Sequence, residues 1–344
     1  MLFKNFSLKT YNSFGVEASA KLFTAVKTTK HLKRMVRNNY FTDNKFFILG
    51  SGTNTLFTED FDGLVVKNSL RSTFEIRNTD TELQIIASSG FKFDELIRRL
   101  IKYQNKTNEF YFGLENLAKI PGDVGAAVVQ NIGAYGVEQK DFFVSCEVVN
   151  LETGEVETFQ NADCNFGYRT SIFKQNDKKY FVTRVIYSYN KSVNHLPCLY
   201  YPALRDEFED MKGRVTPQII YNTVSGIRDS KLPNISKFGN AGSFFKNPII
   251  TKKKFDALKL KYSDIVSYDC DDKIKISAAW LIEKCGFKGK RFGSVGVYDR
   301  HSLILINFGK ATGQDIVDFA ECIVWEVKQR FGITIEPEVV YVQA

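Results

Sequence analysis

The chain contains no apolar run approaching the ~20 residues needed to cross a bilayer. Its start, MLFKNFSLKTYNSFG, has neither a continuous hydrophobic region nor a small-residue cleavage site. Neither a membrane span nor a secretory signal is expected, and a cytoplasmic location is. Paired cysteines are missing as well. Six are scattered over 344 residues, none at C-x-x-C spacing, so reduced thiols packed in the core are expected, not a disulfide framework. Histidine is scarce: His31, His195 and His301 are too few and too dispersed for a zinc site, so no metal centre is expected. No internal repeat, low-complexity tract or proline-rich linker interrupts the chain.

What is present is an ordinary globular composition, 44% hydrophobic and 25% charged, with 30 Phe and 16 Tyr against 2 Trp. That length supports a sizeable core and two or three domains. The net charge of +8 permits anionic ligands, from nucleotides to nucleic acid, without choosing among them. The densest basic stretches are TKHLKRMVRNN and TKKKF. The first reads as an amphipathic helix with Leu32, Met35 and Val36 inward. No aromatic residues alternate with its charges, which favours a solvated lysine face over a nucleic-acid stripe.

Strand-like and helix-like segments alternate. KFFILG is a short buried strand ending at Gly50, and FDELIRRLIKY places Phe93, Leu96, Ile97, Leu100 and Ile101 on one helical stripe. SCEVVNLETGEVETF reads as a hairpin turning at Thr153-Gly154, and KYFVTRVIYSYN as another strand. After a boundary near residues 210–220, TPQIIYNTVSGIRDSKLP predicts a helix running into a loop, and SAAWLIEKCG a helix stopped at Gly286. SVGVYD and SLILINF read as strands. TGQDIVDFAECIVWEVKQRFG is the clearest helix, capped by Thr312 with Asp315 at the capping-box position and ended by Gly332; its buried stripe is Ile316, Phe319, Ala320, Ile323, Val324 and Val327. ITIEPEVVYV is a closing strand. The class is α+β.

Two glycine-rich loops stand out. ILGSGTNTLF offers Gly50, Ser51, Gly52, Thr53 and Asn54 after a strand. Consecutive backbone N–H groups there suit a diphosphate, and a plain structural turn is the alternative. It is neither a G-x-G-x-x-G nor a Walker loop. YFGLENLAKIPGDVGAAVVQNIGAYGVE packs Gly113, Gly122, Gly125, Gly133 and Gly136 into one stretch. Close backbone approach to a large ligand would explain that density; so would a series of tight turns. GNAGSFFKNP sets a lone serine, Ser243, among small residues with no histidine near in sequence, so a hydrolase triad is not the obvious reading.

ILGSGTN, GLENLAKIPGDVGAAVVQNIGAYGVE, FGYRTSIFK, GNAGSFFKNP and EPEV, in this order over essentially the whole chain, resemble the UDP-N-acetylenolpyruvoylglucosamine reductases (UDP-N-acetylmuramate dehydrogenases). The resemblance implies an FAD-binding fold of the vanillyl-alcohol-oxidase/PCMH type in two subdomains, 1–67 and 68–217. A C-terminal α+β substrate-binding domain at 218–331 follows, then a strand at 332–344 carrying a catalytic glutamate. It implies FAD as cofactor and NADPH as co-substrate, a UDP-sugar substrate and a monomer. Hydride would pass from NADPH by way of FAD to the vinyl carbon of UDP-N-acetylglucosamine enolpyruvate, leaving an enolate-like carbon to be protonated.

By the same resemblance Ser243 is the proton donor, Arg169 grips the substrate carboxylate and stabilises developing charge, and Glu338 polarises that carboxylate. Glu336, two residues away, is a decoy that spacing alone does not exclude. FAD contacts are implied at Gly50, Ser51, Gly52, Thr53, Asn54, Ile120, Pro121, Gly122, Gly125, Asn131 and Gly136. Substrate contacts are implied at Arg228, Lys231, Asn247 and Tyr201, the last being the loop tyrosine of the longer family type, with Tyr200 as competitor. Val340 and Val128 stand where many members carry arginine and proline. A same-fold oxidase acting on another substrate is the rival enzyme reading, since a shared fold is not a shared function. A basic nucleic-acid-binding protein is the rival from another class, disfavoured because no recognition motif is present.

Overall fold

In a computed structural model, which describes residues 1–343 except 210, 212 and 236, the chain divides into two compact units. The first comprises Met1–Asn5, Lys21–Ser51 and Asp62–Ser230; the second comprises Phe6–Ala20, Gly52–Phe61 and Lys231–Ala344.

The first unit is built on a five-stranded antiparallel sheet in the order Val156–Gln160, Phe143–Asn150, Tyr180–Asn190, Glu82–Ser88, Phe74–Asn78. Its central strand is apolar enough to serve two cores. Val182, Val185, Tyr187 and Tyr189 enter one cluster, and Phe181 enters another with Leu32, Met35 and Val66. Each fully buried side chain of this size contributes ~1.5–3 kcal/mol. The helix Phe93–Thr107 lays Phe93, Leu96, Ile97, Leu100 and Ile101 into the first cluster, the whole expected stripe. The hairpin turns at Thr153-Gly154 as expected, with Gly154 at φ 78° and its N–H donating to Asn150 O at 2.8 Å. The strand Phe46–Leu49 pairs in parallel with Phe61–Asn68 and ends at Gly50.

The second unit holds two three-stranded sheets, Ile249–Thr251 with Lys273–Ile276 and Ser267–Cys270, and Arg291–Phe292 with Val295–Val297 and Leu305–Asn307. A parallel pair joins Val340–Val342 to Thr55–Phe57. The helix Gly313–Phe331 carries the expected Thr312/Asp315 capping box and a left-handed Gly332. Val324, expected inward, is only partly buried. The helix Ala278–Lys284 is followed by Cys285 as its C-cap and then by Gly286, which takes φ 78°.

Four expectations need adjustment. The helix Pro217–Lys231 belongs to the first unit, apart from its last residue. Ile220, Tyr221 and Val224 sit in the same cluster as Leu96 and Leu117, and Tyr221 donates to Asp94 at 3.0 Å. The compact units are a different division of the chain from the domains 1–67, 68–217, 218–331 and 332–344, which stand as expectations. The closing strand covers only Val340–Val342; Pro337 lacks an N–H for a ladder and makes a single bridge to Phe245. The stretch after the expected loop tyrosine, Tyr201, is a helix, Pro202–Phe208, with proline at its first turn. Of the six free thiols, Cys146 and Cys164 are buried, whereas Cys322 is exposed.

Candidate active site

In the first unit, Gly50 and Ser51 leave the strand Phe46–Leu49 and meet Asp123, which is 1% exposed. Ser51 Oγ donates to Asp123 Oδ1 at 2.6 Å. Lys92 Nζ lies 2.9 Å from the same oxygen and also contacts Ser51. Lys67 Nζ stands 3.7 Å from Asp123 Oδ2. Burial pushes the Lys67 ammonium below its usual range, and Asp123 opposes that shift.

Gly52, Thr53 and Asn54 belong to the second unit. A Cβ on Gly52 would lie 1.9 Å from Tyr11 O, so protein backbone, not a ligand, demands glycine there. Asn54 Nδ2 donates to Glu338 O at 3.2 Å.

In the second glycine block the structural alternative also finds support. A Cβ on Gly125 would meet Ser89 Cβ at 2.7 Å, and Gly136 O accepts from Tyr200 Oη at 2.8 Å. Ile120 is half-buried and Pro121 exposed, and Gly122 O accepts from Phe93 N. Asn131 is fully buried and left-handed. Its Nδ2 donates to Glu138 Oε2 and Gly167 O, both at 3.0 Å, and its Oδ1 accepts from Gln139 at 3.2 Å. Both amide protons are spent inside the protein, where they tie the FGYR turn to the 136–138 segment.

That turn is closed by reciprocal backbone bonds between Gly167 and Thr170, at 3.1 and 3.2 Å. Arg169 occupies it at φ 57°, a conformation costing a bulky residue ~1–2 kcal/mol. Its Nη2 donates to Gly133 O at 2.8 Å. Backbone strain that the surroundings over-determine is a mark of functional positions. The Tyr201 ring lies 5.3 Å from that of Tyr135, and Tyr135 accepts a hydrogen bond from Arg228. Burial lowers the Arg228 pKa and raises that of Tyr135, the pair's mutual contact opposing both shifts. Arg228 Nε is buried with no hydrogen-bond partner among the described residues.

In the second unit, GNAGSFFKNP is fixed from both sides. Gly239 packs on Phe14 O, and Asn240 N donates to Ser13 O at 3.0 Å. Ser243 bridges Ile304, Phe244 N donates to Leu303 O at 2.8 Å, and Phe244 O accepts from Glu338 N at 2.7 Å. Phe244 and Phe245 are buried at 0% and 1% exposure, whereas Ser243 is exposed. Within its own unit the described residues give its hydroxyl no hydrogen bond. The structure also separates the two glutamates. Glu336 is 74% exposed and pairs with Lys246 at 3.5 Å, an ordinary surface contact. Glu338 is half-buried beside the Phe244 backbone. Asn247 Oδ1 accepts from Ala278 N at 2.9 Å, capping the helix that begins there. Lys231 is exposed at a helix end. No His/Cys/Asp/Glu cluster suited to a metal occurs among the described residues.

Residues 234–342 match the family model of the UDP-N-acetylenolpyruvoylglucosamine reductase C-terminal domain, and residues 20–160 match an FAD binding domain. A UDP-N-acetylenolpyruvoylglucosamine reductase of Flavobacterium johnsoniae is 43% identical over 97% of this chain and 98% of its own length. The chain belongs to the UDP-N-acetylenolpyruvoylglucosamine reductase family. A reductase of the same name from Porphyromonas gingivalis is 38% identical over 98% of both chains. A crystal structure of the Thermus caldophilus reductase matches with a TM-score of 0.66 at 22% identity, covering 99% of this chain and 98% of that one. The expected α+β fold, an FAD-binding part followed by a C-terminal domain, is therefore found. The chain is a flavin-dependent oxidoreductase.

The residues beside these candidate positions that sequence reasoning did not single out are Asp123, Lys67, Lys92 and Tyr135. Tyr135 and Asp123 stand inside the quoted glycine block, where their neighbours drew the attention. Nothing local distinguishes either lysine. Ammonium groups and a serine hydroxyl beside the Gly50–Ser51 turn form a donor set that fits an anionic dinucleotide bridge.

Proposed function

We propose that the chain uses NADPH to reduce UDP-N-acetylglucosamine enolpyruvate to UDP-N-acetylmuramate, with Ser243 as proton donor. Arg169 and Glu338 act on the substrate carboxylate. Bound FAD supplies the hydride relay between reductant and substrate. Gly50, Ser51 and the 120–136 block would hold it.

The observation that supports this most is the state of Ser243. Its backbone is clamped between Leu303–Ile304 and Glu338, while the residue is exposed beside the buried Phe244 and Phe245, and its hydroxyl has no hydrogen bond among the described residues of its unit. A serine that merely stabilised a turn would spend its hydroxyl on backbone. A hydroxyl held but not consumed suits donation to a strongly basic carbon. Arg169 offers a planar fork that matches a carboxylate, and Glu338 lies one hydrogen-bonded pair from the serine. Arg228, Lys231 and Asn247 are assigned to the phosphates and sugar. The Arg228 Nε left without a partner supports that for Arg228. The working unit in this reading is a monomer, as the family resemblance implies. UDP-sugars and NADPH are cytoplasmic metabolites, and the enzyme acts there.

The test is direct. The purified protein should be yellow with a flavin spectrum, and its NADPH oxidation should depend on the enolpyruvyl substrate. A colourless protein, or NADPH oxidation indifferent to that substrate, would overturn the reading.

Two kinetic expectations follow from it. The chain has one set of flavin motifs and no second nucleotide fingerprint, so NADPH and substrate take turns. Initial-rate plots should be parallel, with inhibition at high substrate; intersecting lines demanding a ternary complex would refute turn-taking. Tyr201 should cover bound substrate. Saturating substrate should slow hydrogen exchange in residues 195–209, and identical exchange with and without it would remove Tyr201 from this role.

A further inference from the structure

Asp123 immediately precedes the helix Val124–Gln130, yet its carboxylate makes no capping bond to it. It is turned instead toward the Gly50–Ser51 turn. There Oδ1 accepts from Ser51 at 2.6 Å and faces Lys92 at 2.9 Å, while Oδ2 faces Lys67 at 3.7 Å. The Lys67 side chain is only 14% exposed, and its Nζ also donates to Asn68 O at 2.6 Å. Arg71, anchored by its Nε on Gly90 O at 2.9 Å, adds positive charge close enough to disfavour the Lys67 ammonium.

Burying ions costs several kcal/mol each unless partners compensate. One carboxylate needs one cation, and here two lysines face it, with an arginine near one of them. Positive charge in excess, beside a glycine-serine turn, is the arrangement an anion completes. Residues 51, 67, 92 and 123 all lie in the stretch that matches an FAD binding domain.

We propose that Lys92 and Lys67 are counter-charges for the FAD diphosphate, held at the Gly50–Ser51 turn by Asp123. The proposal rests on the flavoenzyme reading. Asp123 fixes Lys92 and Ser51, and Asn68 O holds Lys67 beside it, before the cofactor arrives, so less side-chain entropy is lost on binding. Lys67, the more buried of the two, keeps its charge through Asp123 and gains a second anion when the diphosphate enters.

The test uses flavin-stripped protein titrated with FAD and with riboflavin, which has no phosphate, at low and high salt. Lys92→Gln is the main variant, because that side chain is 41% exposed and its loss spares the fold; Lys67→Gln is the second. For each, the Kd for FAD should rise roughly 10-fold, the order expected for a charge-assisted hydrogen bond. The Kd for riboflavin should stay within about twofold, and the FAD affinity should become less sensitive to salt. Lys92→Arg should recover most of the loss. FAD affinity unchanged in both glutamine variants would show that the lysines only balance Asp123. Equal weakening of FAD and riboflavin would show that they only shape the turn. UDP is titrated separately into the FAD-loaded proteins. Weaker UDP binding with FAD affinity intact would give the charges to the substrate's diphosphate, against the proposal. Wild-type protein that binds no FAD at all would instead contradict the flavoenzyme reading itself.

Discussion

Folded, flavin-loaded Ser243→Ala should be reduced by NADPH at close to the wild-type rate and react with the enolpyruvyl substrate ~10²–10⁴-fold more slowly. The lower and upper bounds are those of a positioned general acid. Reduction by NADPH involves no protonation of carbon, so that half-reaction does not need the hydroxyl. Stability should move by no more than about 0.5 kcal/mol. The hydroxyl has no hydrogen bond among the described residues of its unit, and the buried Phe244 and Phe245 that hold the segment are untouched. Ser243→Cys should keep more activity than alanine, because a thiol still donates a proton. The two half-reactions are measured separately by rapid mixing. A structural serine would slow both alike or release flavin, and unimpaired substrate reduction in the alanine variant would remove Ser243 from the acid role.

Arg169→Lys should slow substrate reduction by ~10²–10³, the loss typical of removing one donor from a developing charge. Lysine keeps the positive charge but not the planar fork. It inherits the left-handed backbone at φ 57° and does not relieve that strain, so the turn closed by Gly167 and Thr170 persists. The KM for substrate should rise while reduction by NADPH changes far less. Melting temperature is the control. A drop in stability with both half-reactions reduced in proportion would mean that Arg169 holds the turn on Gly133 O and does no more.

Much of this was legible in the chain because it is periodic or local. The stripe of Phe93–Thr107, the Thr312/Asp315 box and the Thr153-Gly154 turn each depend on residues within a few positions of one another. The catalytic assignments rested on five separated blocks and not on any single spacing. What was hidden depends on distant partners. Gly52 and Gly125 are glycines because Tyr11 O and Ser89 Cβ approach them, a reason no local pattern displays. Lys67, Lys92 and Asp123 converge from three places, and each alone reads as an ordinary charge. The choice between Glu336 and Glu338 was undetermined by alternation; solvent exposure and the Lys246 pair set the first apart. The helix Pro202–Phe208 has Leu204 as its only buried residue, too little for a stripe to show. Likewise, nothing in 6–20 or 52–61 announces that these segments join the C-terminal part of the chain.

The central claim, an NADPH-driven reductase of an enolpyruvyl sugar nucleotide, is tested most directly by anaerobic stopped-flow absorbance on the wild-type holoprotein. NADPH should bleach the flavin band, and mixing the reduced protein with UDP-N-acetylglucosamine enolpyruvate should restore it within the time of one catalytic turnover. A band that stays bleached with that substrate and returns only on admitting dioxygen would contradict the account and leave an oxidase of the same fold.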